Sequence, residues 1–215
     1  MYPLPRPGSL CAVFILLATL LVQAQASPPI SAALREKVDA ILRQALTGTG
    51  VPSASIAIVQ GGAIAYLQAY GDGRIEPHAP ALPSMRYGIG SISRQFTAAA
   101  MLLLAEQGKL SLDDPVSRFV PNLSRGNEVT IRELLSHTSG YQDYWPQDYV
   151  PPFMLQAITA DKILDQWARK PLDFDPGTDW QYSNTNFVIA GLIVEKASGE
   201  PLLQFLSKHI FAPLG

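Results

Sequence analysis

The apolar positions of this chain change period as it proceeds, and each change marks an element. Leu10 to Val22 is an apolar run interrupted only by Thr19, shorter than the roughly 20 residues a bilayer span needs. Leu34, Val38, Ile41, Leu42 and Ala45 then recur at helical spacing and predict a helix from Ser31 to Leu46, ended by Gly48 and Gly50. Ala54 to Gln60 (ASIAIVQ) and Ala63 to Tyr70 (AIAYLQAY) read as strands. Gly61-Gly62 between them suits a tight hairpin turn. The stretch from Gly71 to Pro83, rich in Pro, Gly and His, predicts a loop.

From Ser91 onward the period is helical. Ile92, Phe96, Ala99, Ala100, Leu103 and Leu104 form one stripe, closed by Gly108. Thr130-Ile131-Arg132-Glu133 has the spacing of a capping box and opens a short helix that stops near Gly140. Asp161 to Arg169 predicts another short helix, ended by Pro171. Asn184 to Ala197 predicts a longer one, ended by Gly199, and Leu202 to Ile210 the last. The order is helix, hairpin, then a mostly helical region, an α+β arrangement. Two strands alone make a poor sheet, so the pattern implies an incomplete antiparallel sheet with an unpaired edge.

Composition narrows the class. The 215 residues are 47% hydrophobic with a net charge of -2, which fits a globular domain and gives no reason to expect a nucleic-acid partner. Arg6, the apolar run and Ala24-Gln25-Ala26 together read as a secretory signal over residues 1–26, with a membrane anchor as the competing reading. The expectation is a secreted or periplasmic protein, free of the membrane after cleavage. Cys11 is the one cysteine, so no intrachain disulfide can form.

Several familiar sites are absent. There is no H-E-x-x-H, no phosphate-binding G-x-x-x-x-G-K-[ST], no G-x-G-x-x-G and no G-x-S-x-G. His78, His137 and His209 are scattered, so neither a metal nor a cofactor is expected. Two stretches carry chemistry instead. In Gly90-Ser91-Ile92-Ser93-Arg94 the serine stands at a helix start, where free N–H groups favour an oxyanion, and residue 94 lies one turn on, on the same side. A basic side chain there would activate a hydroxyl; a plain N-cap serine is the alternative. Tyr182-Ser183-Asn184, ahead of another helix, is by itself equally consistent with packing and capping.

Together these stretches resemble the serine beta-lactamase-related family, which spans class C beta-lactamases, D,D-peptidases and esterases. Its pattern is S-x-x-K, then Y-x-N, then a K-T-G or H-x-G strand. The flanks resemble it too: LAEQGKLSLDDPV from Leu104, LLSHTSG from Leu134, GLIVEKASG from Gly191 and Pro213-Leu214-Gly215. The resemblance implies that Ser91 is an acylated nucleophile, that Tyr182 moves a proton, and that Asn184 binds substrate. It implies a beta-lactamase/D,D-peptidase-like fold over residues 27–215 and a small-molecule or peptide substrate. His137 reads as a helix end rather than a catalytic group.

Two departures qualify it. Arg94 stands where the family has lysine, and arginine stays protonated, so it cannot take the proton of Ser91. It can hold charge near Tyr182 and favour a tyrosinate base. The K-T-G or H-x-G motif is not found: Lys196-Ala197-Ser198-Gly199 and His137-Thr138-Ser139-Gly140 each have one residue too many. The expectation is the N-terminal part of a longer domain, a serine hydrolase acting on a lactam, peptide or ester with impaired turnover. The alternatives are a non-catalytic ligand or cell-wall peptide binder and an inactive fragment. Tyr141, Tyr144, Trp145 and Tyr149 either line an aromatic cleft or simply pack.

Overall fold

The structure, a computed structural model, describes residues 29–145 and 152–215. The leader-like residues 1–26, with Cys11, and Tyr149 lie outside them. The chain divides into two compact units, Met1–Tyr87 and Gly88–Gly215.

In the first unit, α1 runs over Ala32–Thr49 and starts where Ser31 Oγ accepts the Leu34 N–H at 3.2 Å. It outlasts the expected end at Leu46 and stops at Gly50, whose left-handed φ of 70° supplies the cap. The antiparallel strands β1 (Ser53–Gln60) and β2 (Ala63–Arg74) pair from Ser53↔Gly71 to Gln60↔Ala63. The expected loop from Gly71 is corrected here: β2 continues to Arg74 and pairs with a short β3 (Ala79–Pro80), giving the order β1-β2-β3. Gly71 permits the extension. Its φ is 79°, and a Cβ there would meet the Pro52 carbonyl oxygen at 2.2 Å, so the strand passes a point where a side chain would stop it.

The first unit has a small interior. Ile30, Ala65 and Tyr66 are buried, with Val38, Ile56 and Ile58 packed against them. Its polar fastening is one α1 carboxylate: Asp39 Oδ1 accepts from Tyr66 Oη at 2.5 Å and Tyr70 Oη at 2.6 Å, and the two phenols lie 2.8 Å apart. Those phenol hydrogen bonds, Tyr66 first, hold Asp39 below its ordinary carboxylate pKa, and burial with the bond to Asp39 pushes Tyr70 up.

The second unit is helical: α2 (Arg94–Glu106), α3 (Ile131–Ser136), α4 (Ala160–Ile163), α5 (Asn184–Ser198), α6 (Leu202–Leu206) and α7 (Ala212–Leu214). A wide turn, Leu164–Ala168, continues α4, and another, Ser207–Phe211, joins α6 to α7. Helix α5 is central, with α2, α3 and α6 packed on it. Met101, Leu104, Leu134, Ile189, Ile193 and Phe205 are essentially inaccessible, each burial stabilising by about 1.5–3 kcal/mol. The expected capping box is present: Thr130 Oγ1 accepts the Glu133 N–H at 3.2 Å and Glu133 Oε2 accepts the Thr130 N–H at 2.7 Å. One expected stripe member is misplaced. Ile92 is 61% exposed, because Gly90–Ser93 winds as a 3₁₀ turn. Three residues per turn rotate position 92 away from the face that α2 buries. Among the described residues no helix is long and apolar enough to cross a membrane.

The Asp39 fastening has a defined pH direction. Its folded-state pKa is depressed, so its contribution is present above the ordinary carboxylate range and is lost as pH falls through the lowered value. Asp39→Asn is expected to abolish that acid-range loss and to raise amide hydrogen exchange along β2 at neutral pH. Unchanged exchange at Tyr66 and Tyr70 would show that α1 does not fasten the hairpin through this carboxylate.

Candidate functional site

The 3₁₀ turn that opens α2 places Ser91 and Arg94 on one side, with Ser93 Oγ donating back to the Gly90 carbonyl at 2.7 Å. Ser91 is exposed. It is not an N-cap: no side-chain cap bond occurs at the start of this turn or of α2. Its hydroxyl instead meets Tyr182, whose Oη donates to Ser91 Oγ at 2.8 Å across 91 positions of sequence.

The position of Tyr182 is set by the segment after α3. His137 ends that helix in the left-handed conformation, φ 61°. Its Nδ1 accepts the Ser183 N–H at 3.1 Å, and its carbonyl accepts the Gln181 N–H at 3.0 Å. Its ring lies against that of Tyr182, centroids 4.7 Å apart and tilted by 32°. Thr138 and Gly140 carbonyls accept the Gly177 and Asp173 N–H groups at 2.8 and 2.9 Å. Ser139 Oγ donates to Asn186 Oδ1 at 2.7 Å inside the unit. Gly140 has φ 79°, and a Cβ there would sit 2.3 Å from the Phe174 carbonyl oxygen. The His137-Thr138-Ser139-Gly140 stretch is thus a bracket for residues 173–186.

Arg94 is drawn into the same cluster. Its Cζ lies 4.7 Å from the Tyr182 ring centroid and 5.2 Å from that of Phe187, within cation–π range. Its Nη2 donates to Asn184 Oδ1. Burial pushes the guanidinium pKa down, opposed by the charge of Asp143. Among the described residues, Nη1 is a buried side-chain nitrogen without a hydrogen-bond partner.

Asp143 escaped the sequence reading. Its Oδ1 accepts the Asn184 N–H at 2.8 Å and the Trp145 N–H at 3.0 Å, and its two oxygens both lie 2.9 Å from Asn184 Nδ2. No motif marks it, and the signal that could have found it is physical: the first N–H groups of α5 need an acceptor, and Ser183 supplies none from its own side chain.

Gly90, Ser91, Ser93, Arg94, Tyr144, Trp145, Tyr182 and Asn184 line an open cleft of about 310 Å³. All four residues singled out from the sequence, Ser91, Arg94, Tyr182 and Asn184, border it. The aromatic residues divide. Tyr141 packs inside, 1% exposed, with its Oη donating to the Ser124 carbonyl at 3.0 Å. Tyr144 and Trp145 face the cleft. Among the described residues no group of three or more His, Cys, Asp or Glu side chains gathers to hold a metal. A hydroxyl, a phenol in bonding reach and a fixed cation beside them can support acyl transfer to oxygen.

Residues 38–215 match the family model described as Beta-lactamase. Esterase EstB of Burkholderia gladioli is 33% identical over 201 residues, covering 86% of this chain and 51% of EstB. A penicillin-binding protein of Bacillus subtilis (strain 168) is 33% identical over 163 residues, 75% of this chain and 36% of its own. Among solved structures, the D-amino acid amidase from Ochrobactrum anthropi SV3 with D-phenylalanine is similar at TM-score 0.76 and 30% identity, over 86% of this chain and 51% of that one. The octameric penicillin-binding protein homologue from Pyrococcus abyssi is similar at TM-score 0.73 and 32% identity, over 84% and 43%. The chain spans about half or less of the length of these relatives.

His137 gives the cluster a pH dependence. Burial, then the charge of Arg94, lowers its pKa, against a smaller pull from Asp143. The folded state therefore holds it neutral, with Nδ1 free to accept the Ser183 N–H. As pH falls through the ordinary histidine range, near 6.5, the unfolded chain takes up a proton first and stability drops. His137→Gln is expected to flatten the fall in unfolding free energy between about pH 7 and 5. A variant as pH-dependent as the parent in urea titrations would refute this assignment.

Proposed function

Because the chain belongs to the beta-lactamase family, we propose that it is a serine hydrolase working by acyl transfer, with Ser91 as nucleophile. The observation that carries this reading is the 2.8 Å bond between Ser91 Oγ and Tyr182 Oη at the wall of an open cleft. With Tyr182 first ionised by releasing its proton to solvent, Ser91 Oγ attacks an acyl carbonyl carbon, the serine proton passes to the tyrosinate oxygen, and the re-formed phenol gives it to the departing alcohol or amine. Water then hydrolyses the serine ester by the reverse traffic. The relatives' names, esterase, penicillin-binding protein and D-amino acid amidase, support ester, lactam and amide carbonyls as the substrate class. The leader-like first 26 residues support a reaction outside the cytosol as part of this reading.

Arg94 limits the first step. The phenol as placed donates to Ser91, so it can accept the serine proton only after losing its own. A guanidinium against the ring stabilises the negative charge that this leaves on the oxygen. Unlike a lysine amine, it cannot receive the proton. General-base help is worth about 10²- to 10⁴-fold, so slow acylation follows rather than none. Arg94 also supports a second reading, a protein that holds its ligand at this cleft without turnover.

An activated acyl ester separates the two. The hydrolase reading expects mass gain on Ser91, absent in Ser91→Ala, and about tenfold or faster labelling in Arg94→Lys. Reversible binding with no covalent adduct, in both the parent and Arg94→Lys, would leave the non-catalytic reading in its place.

A further inference from the structure

His137 grips the residues on both sides of Tyr182 and the phenol between them. Its Nδ1 accepts the Ser183 N–H at 3.1 Å, its carbonyl accepts the Gln181 N–H at 3.0 Å, and its ring centroid lies 4.7 Å from that of Tyr182. A backbone N–H can only donate, so Nδ1 carries no proton and the neutral ring holds its hydrogen on Nε2. The interior enforces the same form. Ser139 and Asn186 are each 1% exposed. Ser139 Oγ accepts the Tyr141 N–H at 3.2 Å and gives its own hydrogen to Asn186 Oδ1 at 2.7 Å. That orients the Asn186 amide, whose donor Nδ2 lies 3.5 Å from His137 Nδ1. Two donors therefore face one ring nitrogen. A proton on Nδ1 would set donor against donor and leave the N–H of Ser183, itself 1% exposed, without an acceptor. Ser183 adjoins Tyr182, so a backbone shift there carries the phenol with it.

We propose that His137 is a positioning residue of the acylation step: its bare Nδ1, by holding the Ser183 N–H, keeps Tyr182 Oη at bonding distance from Ser91 Oγ. The inference rests on the hydrolase reading and deepens it, because it adds a second ionisation to the step. Attack needs Tyr182 without its phenol proton and His137 without a proton on Nδ1. The charged and titratable groups facing the ring are Arg94 from α2, Asp143 from the segment after α3, and the Tyr182 phenol. Burial and Arg94 favour the neutral ring, and Asp143 opposes them. An imidazolium beside the phenol would favour tyrosinate. The displacement outweighs that gain, since a misplacement near 1 Å costs about 10²-fold.

His137 stands at φ 61°, where glycine and asparagine are tolerated. His137→Gly and His137→Asn therefore test the side chain without adding backbone strain. Glycine removes the acceptor, whereas Oδ1 of asparagine stands where Nδ1 does. An activated acyl ester is used at neutral pH. The saturating rate of Ser91 acylation should fall about ten- to hundredfold in His137→Gly, with the half-saturating ester concentration unmoved. His137→Asn should recover most of that loss. Parent-like acylation in His137→Gly, or His137→Asn as slow as His137→Gly, overturns the proposal.

The pH profile adds a signature that packing alone would not give. Ionisation of Tyr182 gives the logarithm of the acylation rate a slope of about one against pH, and His137 should steepen it toward about two in acid. The steepening belongs to the parent and not to His137→Asn. Equal slopes in the two, throughout the pH range where circular dichroism shows both folded, overturn the proposal. Hydrogen exchange at the Ser183 amide needs no turnover. Protection should drop in His137→Gly and return in His137→Asn, and equal protection in parent and His137→Gly overturns the proposal. If no ester acylates Ser91 in the parent or in Arg94→Lys, it is the hydrolase reading that fails, and the Ser183 amide alone decides what His137 holds.

Discussion

The N-terminus of α5 cannot satisfy itself, and the candidate site follows from how that deficit is met. The first N–H groups of a helix have no intrahelical acceptor, and Ser183 caps none of them with its hydroxyl. The acceptors come from more than forty positions earlier: His137 Nδ1 takes the Ser183 N–H and Asp143 Oδ1 the Asn184 N–H. Two side chains on one returning segment therefore locate Tyr182 and Asn184 together. Around them, the Gln142 carbonyl accepts from Thr185 Oγ1 at 2.7 Å and Thr185 Oγ1 accepts the Tyr144 N–H at 3.2 Å. Tyr182 then has one place to be, and the serine it meets is supplied by the turn ahead of α2.

Charge in this cluster is arranged along a line. Asp143 faces Asn184, Asn184 faces Arg94, and Arg94 faces the ring of Tyr182. The dipole of the asparagine amide lies along that line, between the carboxylate and the guanidinium. An arginine suits this role better than lysine would. Its planar group lies against two aromatic rings while donating sideways in its own plane. The same planarity and permanent charge are what remove it as a proton acceptor, so what favours its packing opposes its use as a base.

Much of the helical structure was legible in sequence because its signals are local. The capping box at Thr130 and the glycine stops at Gly50 and Gly199 depend on residues within four positions of one another. The extension of β2 was not legible, because Gly71 and Gly73 read as loop residues by composition. What keeps them in a strand is close approach, of the Pro52 backbone on one and of the Met85 side chain with the Ala81 backbone on the other. Ile92 was misassigned for a different reason: the 3.6-residue period was extended through a turn that winds at three. In the site, Ser91, Arg94, Tyr182 and Asn184 were found through motif resemblance. Asp143 was not, since a carboxylate serving a backbone N–H carries no spacing to recognise.

The two units differ in what holds them, and the difference reaches the chemistry. The helical unit buries large side chains on both flanks of α5, so the walls of the cleft stand on a packed core. The hairpin unit leaves Val59, Ile64 and Leu67 exposed and closes on one carboxylate shared by two phenols. Groups held to a fraction of an ångström are what acyl transfer needs, because a misplacement near 1 Å costs about 10²-fold. Every residue that borders the cleft comes from the unit able to provide that rigidity. The partition of stability and the partition of chemistry therefore coincide, with α5 common to both: its flanks form the core, and its first turn presents the asparagine.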